Sequence, residues 1–574
     1  MNEMSGHYLW HVNEEPSKES VEALRNQNNL TRPVALFLAN LGIPEDQIED
    51  HLHPRLKRLR NPYELSGTFE GAERLWRAVS NNEKILIYGD YDADGITSSA
   101  LVSSILKKNG VHTECFVPNR FEDGYGITPE SVQKACGEQP PSLIVTVDCG
   151  INSREAGEKI KEQGIDLIVT DHHAPGPQQP PANAIINPKL TAHDIGSKSL
   201  AGVGVSFKLC HAFLKYGRDH GLCGDEIDLR REMDLVALGT VADIVPLVQE
   251  NRCMAKFGIS ELSRQHRPGV RALCEIAGIK DNIDTGDIAF RLAPRMNAAG
   301  RMGSGAHSLS LIQTTSVGEA LPLARHLEQN NRERQKIEEQ VFEQASAQVE
   351  AELSADPERR SFVVSSEEWH QGVLGIVASR LVRKYWRPVI VVTEDGNGEL
   401  TGSGRSIERL NLVAMLEECS QLLTRFGGHA KAAGLSVMPE RLSEFKEVFE
   451  QKVRSVLSKD AMRPRLEIFA RVPFSELTDQ FFEELTLLGP FGEGNPEPVF
   501  LSSNVKPERV STVKGGHSKG TVVDDSGRRM PFIAFGFLPE NFPRAPWYIA
   551  YTPQLNIFRG EARPQLRLLD MCAM

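Results

Sequence analysis

KILIYGDYDADGITSSALVSSILKKNG, residues 84–110, decides the fold. Its opening, KILIYG, is an apolar run of strand length, and TSSALVSSILKKNG from Thr97 has the composition of a helix. The turn between them carries three aspartates, Asp90, Asp92 and Asp94. Downstream the pattern repeats. TECFVP (113–118) reads as a strand, TPESVQKAC (128–136) as a helix and SLIVTVD (142–148) as a strand. SREAGEKIKEQG (153–164) reads as a helix, and DLIVTD (166–171) and AIINP (184–188) as strands. Strands and helices that alternate through short Gly-, Asp- and Asn-containing turns predict an α/β domain with a doubly wound parallel sheet. A helical region from about Ser199 to Ala277 completes this domain, which is placed at 81–315.

The 574-residue chain is too long for one core. Residues 1–80 read as short helices broken by prolines, with no recognisable chemistry. The segment 316–355 is rich in helix formers of alternating charge and predicts one long connecting helix starting near Pro322. About 30 helical residues span roughly 45 Å, enough to hold two domains across a cleft. A second α/β domain is expected over 356–460, with FVVSS and RPVIVVT as strands. The segment 461–574 combines strand-like runs such as PFIAFGF and WYIAYTPQLNIFRG with Gly- and Pro-rich turns. It predicts a small β-barrel of OB type.

Bulk properties exclude some classes. Hydrophobic residues are 40% and charged residues 25% of the chain, the balance of a globular protein. No apolar run reaches the ~20 residues of a membrane span. The N-terminus lacks the basic-then-apolar layout of a secretory signal, so a cytoplasmic protein is expected. Nine scattered cysteines without a C-x-x-C pair imply neither zinc nor a disulfide framework. The net charge of −12 is unusual for a nucleic-acid binder. From Lys506 onward, however, ten Lys/Arg face six Asp/Glu, so the C-terminal segment is locally basic.

Three strand ends finish in metal-type ligands: Asp90, Asp92 and Asp94; then Asp148; then Asp171, His172 and His173. In an open parallel sheet, ligands bind outside the carboxyl ends of the strands. Residues distant in sequence therefore converge. Gathered aspartates repel one another and burial raises their pKa values, which one or two divalent cations would relieve. Oxygen ligands with an imidazole suit Mn²⁺ or Mg²⁺. Asp243, after the apolar helical run of LGTVADIVPL, is a further candidate ligand. Each piece has an ordinary reading: an Asp at a βα turn is usually a helix N-cap, and D-x-D-x-D without a later bidentate Glu is no EF-hand. Three adjacent strand ends of this kind are hard to assign to capping alone.

YGDYDADGITS, VTVDCG, VTDHHAPG and LGTVADIVPL resemble, in order, the four motifs of the DHH phosphoesterase superfamily. RLAPRMNAAGR, EWHQGVLGIVASR, GSGRS and FGGHAKAAG resemble the further motifs of RecJ single-strand exonucleases, and the resemblance covers most of the chain from about residue 60. It implies DHH, DHHA1 and OB-type domains and a two-metal nuclease degrading single-stranded DNA from the 5′ end in recombination and repair. A single-stranded-DNA-binding protein and a RecQ-type helicase are its implied partners. Carried over, the scheme puts Asp92 on one metal and Asp94 on the other, with Asp148 bridging. His172 and Asp243 complete the second site, Asp90 supports the first, Asp171 orients His172, and His173 faces the scissile phosphate.

The resemblance also makes Arg120, Arg301, Ser403 and Arg405 candidate phosphate clamps. Gly427, Gly428 and His429 form a Gly-rich anion-binding turn. Phe535, Phe537, Tyr551 and Phe558 are candidates for stacking bases, about half of them expected in the core. Two alternatives differ in kind. A small-substrate DHH phosphoesterase, acting on oligoribonucleotides or cyclic dinucleotides, needs only the two α/β domains. A non-catalytic RecJ-like replication factor predicts gaps in the ligand set, and there are none.

Overall fold

The computed structural model describes residues 7–119, 123, 126–191, 198–223, 226–396, 398–556 and 561–574, with the backbone of 557 and 558. The chain forms two compact units. One holds Asn13–Asn331 with Phe469–Leu569. The other holds Arg332–Ile468 with the strand Leu9–Val12 and Asp570–Cys572.

In the first unit, Ile85–Gly89 (β1), Thr113–Phe116 (β2), Leu143–Val147 (β3), Asp166–Thr170 (β4) and Ala184–Ile186 (β5) form a sheet of order β2-β1-β3-β4-β5. All four pairings are parallel. Alternate side chains of β1 feed two cores. Ile85 and Ile87 pack with the helices Ala93–Lys108, Gly202–Asp219 and Met233–Ala242, while Leu86 and Tyr88 pack on the opposite face. This double coverage explains why the strands are apolar without alternation. The chain steps from β1 outward to β2 and then returns to β3 on the other side. The carboxyl ends of β1 and β3 therefore flank the reversal of strand order, where α/β sheets bind ligands.

The N-terminal helices Lys18–Asn28 and Arg32–Leu41 and the barrel segment belong to the same unit. The barrel strands run in the order Ala470–Arg471, Phe500–Val513, His517–Val523, Arg529–Ala534, Glu561–Ala573 and Trp547–Phe558. A further pairing of Phe500–Val513 with Trp547–Phe558 closes the barrel. Arg252, 1% exposed, ties these parts to the domain of the parallel sheet. Its guanidinium donates to the carbonyls of His51 (2.8 Å), Leu487 (2.9 Å), Gly489 (2.9 Å) and Pro490 (3.4 Å). A buried cation requires that many acceptors.

The second unit contains a five-stranded sheet in the order Arg425–Gly428, Ala432–Val437, Leu400–Arg405, Val389–Glu394 and Phe362–Ser365; only the last pair is parallel. The linking helix is continuous over Val317–Ala355, 39 residues. It begins before Pro322, which lies inside it. Pro322 is the sixth residue of this helix, past the first turn, so the helix forgoes the one bond that an N–H there would make to the Gly318 carbonyl. Among the described residues, no helix is long and apolar enough to cross a membrane.

Candidate metal centre

The β1 turn is shaped by glycines that leave no room for a side chain. A Cβ on Gly89 would lie 2.0 Å from Ser99 Oγ, and one on Gly95 would lie 2.5 Å from the Asp90 carbonyl oxygen. The turn folds back tightly and presents its aspartates above the sheet edge. Asp92 N-caps the helix Ala93–Lys108: its Oδ1 accepts from the N–H groups of Asp94 (3.0 Å) and Gly95 (3.2 Å). Capping and ligation are thus compatible, because a carboxylate has two oxygens. Asp94 accepts from the N–H groups of Gly202 (2.7 Å) and Val203 (2.8 Å) at the start of another helix.

At the end of β3, Asp148 is held at φ +60°, a backbone region rare outside glycine, and is 2% exposed. Its Oδ1 is buried without a hydrogen-bond donor. His172 Nε2 lies 3.2 Å from that oxygen and 3.6 Å from Asp243 Oδ2. Asp243 follows the last residue of the helix Met233–Ala242.

Electrostatically the cluster is unbalanced. Burial and the facing carboxylates hold Asp94 and Asp148 well above the ordinary carboxylate range. Burial and Asp92 push Asp243 up to about 7. Burial and the neighbouring His173 lower His172 to about 4, which leaves a neutral imidazole with a lone pair. Ligand atoms of Asp90, Asp92 and Asp148 lie within 4.8 Å of one another, as do those of Asp94, His172 and Asp243, and those of Asp148, His172 and His173. An orphaned carboxylate oxygen between two such groups, a neutral imidazole and mutually repelling acids fit a pair of hard divalent cations.

One expected contact is corrected. Asp171 does not hold the ring of His172; its Oδ1 takes His173 Nδ1 at 2.8 Å, together with the backbone N–H groups of both histidines. The His172 ring turns the other way and hydrogen-bonds the backbone of Leu200. Burial alone would raise Asp171, but the bonds from His173 and from the Ile151 N–H outweigh it and hold the carboxyl low. The same bond from Asp171 raises His173.

The remaining candidates are dispersed. Arg301 lies in the last turn of the helix Ala293–Met302. Arg120 lies outside the described residues. In the other unit, Arg405 Nη1 donates to Ser403 Oγ (3.0 Å) and to the Gly404 carbonyl (2.8 Å). Both side chains approach Gly375, where a Cβ would lie 2.9 Å from Arg405 Nη2. Gly427 and Gly428 end one strand of a hairpin and His429 begins its exposed turn, with its N–H on the Ala432 carbonyl (2.7 Å). On the barrel, Phe535 is 51% exposed and meets His517 edge-on, and Phe537 is half-buried. Tyr551 is 0% exposed, so it stacks no base. It faces the barrel interior, where its hydroxyl pairs with Ser502 Oγ (3.1 Å). The side chain of Phe558 lies outside the described residues.

Reading the sequence missed Asn297, in RLAPRMNAAGR, whose Oδ1 accepts from the Ala93 N–H at 2.7 Å and braces the β1 turn. It also missed Gly202 and Gly239. A Cβ on Gly239 would lie 2.8 Å from Asp94 Oδ1, and one on Gly202 would strike Asp148.

Comparison with known proteins gives a consistent picture. Residues 84–240 match the DHH family N-terminal domain, residues 359–455 the DHHA1 domain and residues 469–570 the RecJ OB domain. The chain is 38% identical over 520 residues to the single-stranded-DNA-specific exonuclease RecJ of Escherichia coli, covering 88% of this chain and 90% of that protein. It is 35% identical over 571 residues to RecJ of Bacillus subtilis, covering 98% and 70%. The crystal structure of RecJ from Thermus thermophilus in complex with Mn²⁺ superposes with a TM-score of 0.82 at 30% identity, covering 98% of this chain and 79% of that one.

Proposed function

The chain belongs to the RecJ family of metal-dependent, single-stranded-DNA-specific exonucleases, and from this premise we propose that it removes nucleotides from the 5′ end of single-stranded DNA with two divalent cations, Mn²⁺ or Mg²⁺. The observation that carries the reading is the orphaned Asp148 Oδ1, lying between the acids of the β1 turn and the His172–Asp243 pair.

Asp90 and Asp92 would hold one cation and Asp94, His172 and Asp243 the other, with Asp148 available to both. When bound, the cations supply an acidic water as nucleophile and positive charge for the leaving oxygen. The chain's own residues prepare the rest. Asp171 accepts from His173 Nδ1 and raises the ring's pKa, which favours the protonated form and directs Nε2 toward a phosphate oxygen as a donor. Buried His172 stays neutral and can ligate but not donate charge. Asn297 and the glycines at 89 and 95 fix the β1 turn, so the carboxylates need no rearrangement when substrate arrives. Ser403 and Arg405, with Arg120, Arg301 and the Gly427–Gly428–His429 turn, are assigned to the strand's phosphates, the terminal 5′-phosphate included. Exposed Phe535 is assigned to a base.

A domain division at 81–315, 316–355, 356–460 and 461–574, after an N-terminal region to residue 80, accompanies this reading. So do a cytoplasmic site of action, a role in recombination and excision repair, and partnership with a single-stranded-DNA-binding protein and a RecQ-type helicase. The match over 469–570 favours a polymeric substrate over the small-molecule alternative, and the complete ligand set argues against a non-catalytic factor. Incubation with Mn²⁺ and single strands labelled at either end tests the proposal: early release of the 5′ label alone is expected. Early release of the 3′ label overturns the polarity, and no release of either overturns the activity.

A further inference from the structure

Residue 244 stands where a helix leaves the αR region. The helix Met233–Ala242 ends at Asp243, whose N–H reaches the Gly239 carbonyl (2.9 Å), and the next N–H turns back to the Val241 carbonyl (3.3 Å). That next residue takes φ +59°. Helices normally exit through this conformation with glycine or asparagine, which carry little or no steric penalty there. Here the residue is isoleucine, β-branched and the wrong shape for left-handed backbone. Its side chain gains nothing by folding either, since Ile244 is 69% exposed.

The strain is held in place from both sides. Leu247 is buried and its N–H bonds the Glu493 carbonyl (2.7 Å), while Asn251 Nδ2 bonds the Pro246 carbonyl (3.0 Å). A backbone outlier that its surroundings over-determine, with an apolar side chain presented to solvent, is a mark of function. Its place is specific: it directly follows Asp243, whose carboxylate lies 3.6 Å from His172 Nε2.

We propose that Ile244 is a contact residue for the DNA strand, offering the apolar surface against which the sugar and base of the nucleotide at the metal centre pack. The cluster itself presents only carboxylates and imidazoles, which can hold cations and phosphate but nothing apolar. A nucleotide arriving there brings both a phosphate and an apolar sugar–base face, and Ile244 is an exposed hydrocarbon side chain next in the chain to Asp243. The inference rests on the nuclease reading of the site.

Three variants and three readouts test it. Replacing Ile244 by Asn relieves the backbone and removes the apolar surface. Ile244→Gly does the same with no side chain, and Ile244→Leu keeps hydrocarbon. For Ile244→Asn and Ile244→Gly the expected results are a Tm of metal-free protein raised by about 1–3 °C, Mn²⁺ affinity by calorimetry unchanged, and a KM for 5′-phosphorylated oligothymidylate raised about 5–20-fold with kcat nearly constant. Ile244→Leu should restore KM to within about twofold of the parent. A KM unchanged in the Asn and Gly variants overturns the proposal. A fall in Tm makes the side chain structural, and a fall in Mn²⁺ affinity makes it a support for Asp243; either result also overturns it. If the parent protein binds Mn²⁺ but cleaves no single strand, the nuclease reading fails instead.

Discussion

Gly202 leaves the space that Asp148 fills: a Cβ on residue 202 would lie 2.3 Å from Asp148 Oδ1 and 2.6 Å from its Cβ. The glycine N–H simultaneously bonds Asp94 Oδ2 at 2.7 Å. One residue with no side chain thus borders two acids, Asp94 in the first turn of the helix Ala93–Lys108 and Asp148 just past the strand Leu143–Val147.

Gly202→Ala is therefore expected to reduce cleavage of single strands by at least about 10–100-fold, approaching the complete loss expected for Asp148→Ala. Strand binding and far-UV circular dichroism should remain close to the parent in both. Gly318→Ala is the control, since the nearest atom to its added Cβ is Ser316 Oγ at 3.7 Å. Near-normal turnover in Asp148→Ala would remove the shared-ligand assignment.

The Asp171–His173 pair gives a pH signature. The carboxylate raises His173, so protonated His173 persists to higher pH than a free imidazole, and activity that needs the proton falls as pH rises through the raised value. In Asp171→Asn that limb should move to lower pH, with a loss of about 10–100-fold near neutrality. Rate profiles of kcat/KM against pH read the shift. An unmoved alkaline limb would take His173 out of the proton inventory.

Removing the metals should make stability depend on pH in a defined sense. Asp243 is pushed up to about 7 and Asp94 and Asp148 are raised, whereas the unfolded chain titrates near about 3.9. Between those values the folded state binds more protons than the unfolded one, so stability falls as pH rises. The Tm of EDTA-treated protein should drop from pH 5.5 to pH 8, and saturating Mn²⁺ should give its largest gain at the alkaline end. Equal metal stabilisation at both pH values would contradict the repelling-acid account.

On the second unit, Arg405→Ala is expected to lower kcat/KM on 5′-phosphorylated single strands by about 10–100-fold, the worth of one charged hydrogen bond. The loss should shrink on strands ending in a 5′-hydroxyl, which lack the partner already. Equal losses on both would place the guanidinium on an internal phosphate, or leave it to its bonds with Ser403 Oγ and the Gly404 carbonyl.

The candidate ligands were readable in the sequence for a physical reason: each is anchored within a residue or two of a strand or helix end, and those ends announce themselves by apolar runs. Asn297 and Gly202 act through a backbone brace and an absent side chain, which no local pattern displays. The direction of Asp171 was misjudged because neighbouring histidines differ only in which way each ring turns. Tyr551 and Phe535 look alike as aromatics among basic residues. Only the closure of the barrel decides that one faces inward and the other tops a turn.

Arg252 has a consequence for the order of synthesis. Its guanidinium belongs to the catalytic domain, yet three of its four carbonyl acceptors lie at Leu487, Gly489 and Pro490. A nascent chain emerges from its N-terminus, so for more than two hundred residues of elongation this cation has only the His51 carbonyl to meet. Burying it that early leaves most of its N–H groups unpaired. The full set of acceptors for this buried cation therefore exists only once the segment 487–490 has been made, which ties the packing of the helix Gln249–Ser263 to the C-terminal part of the chain.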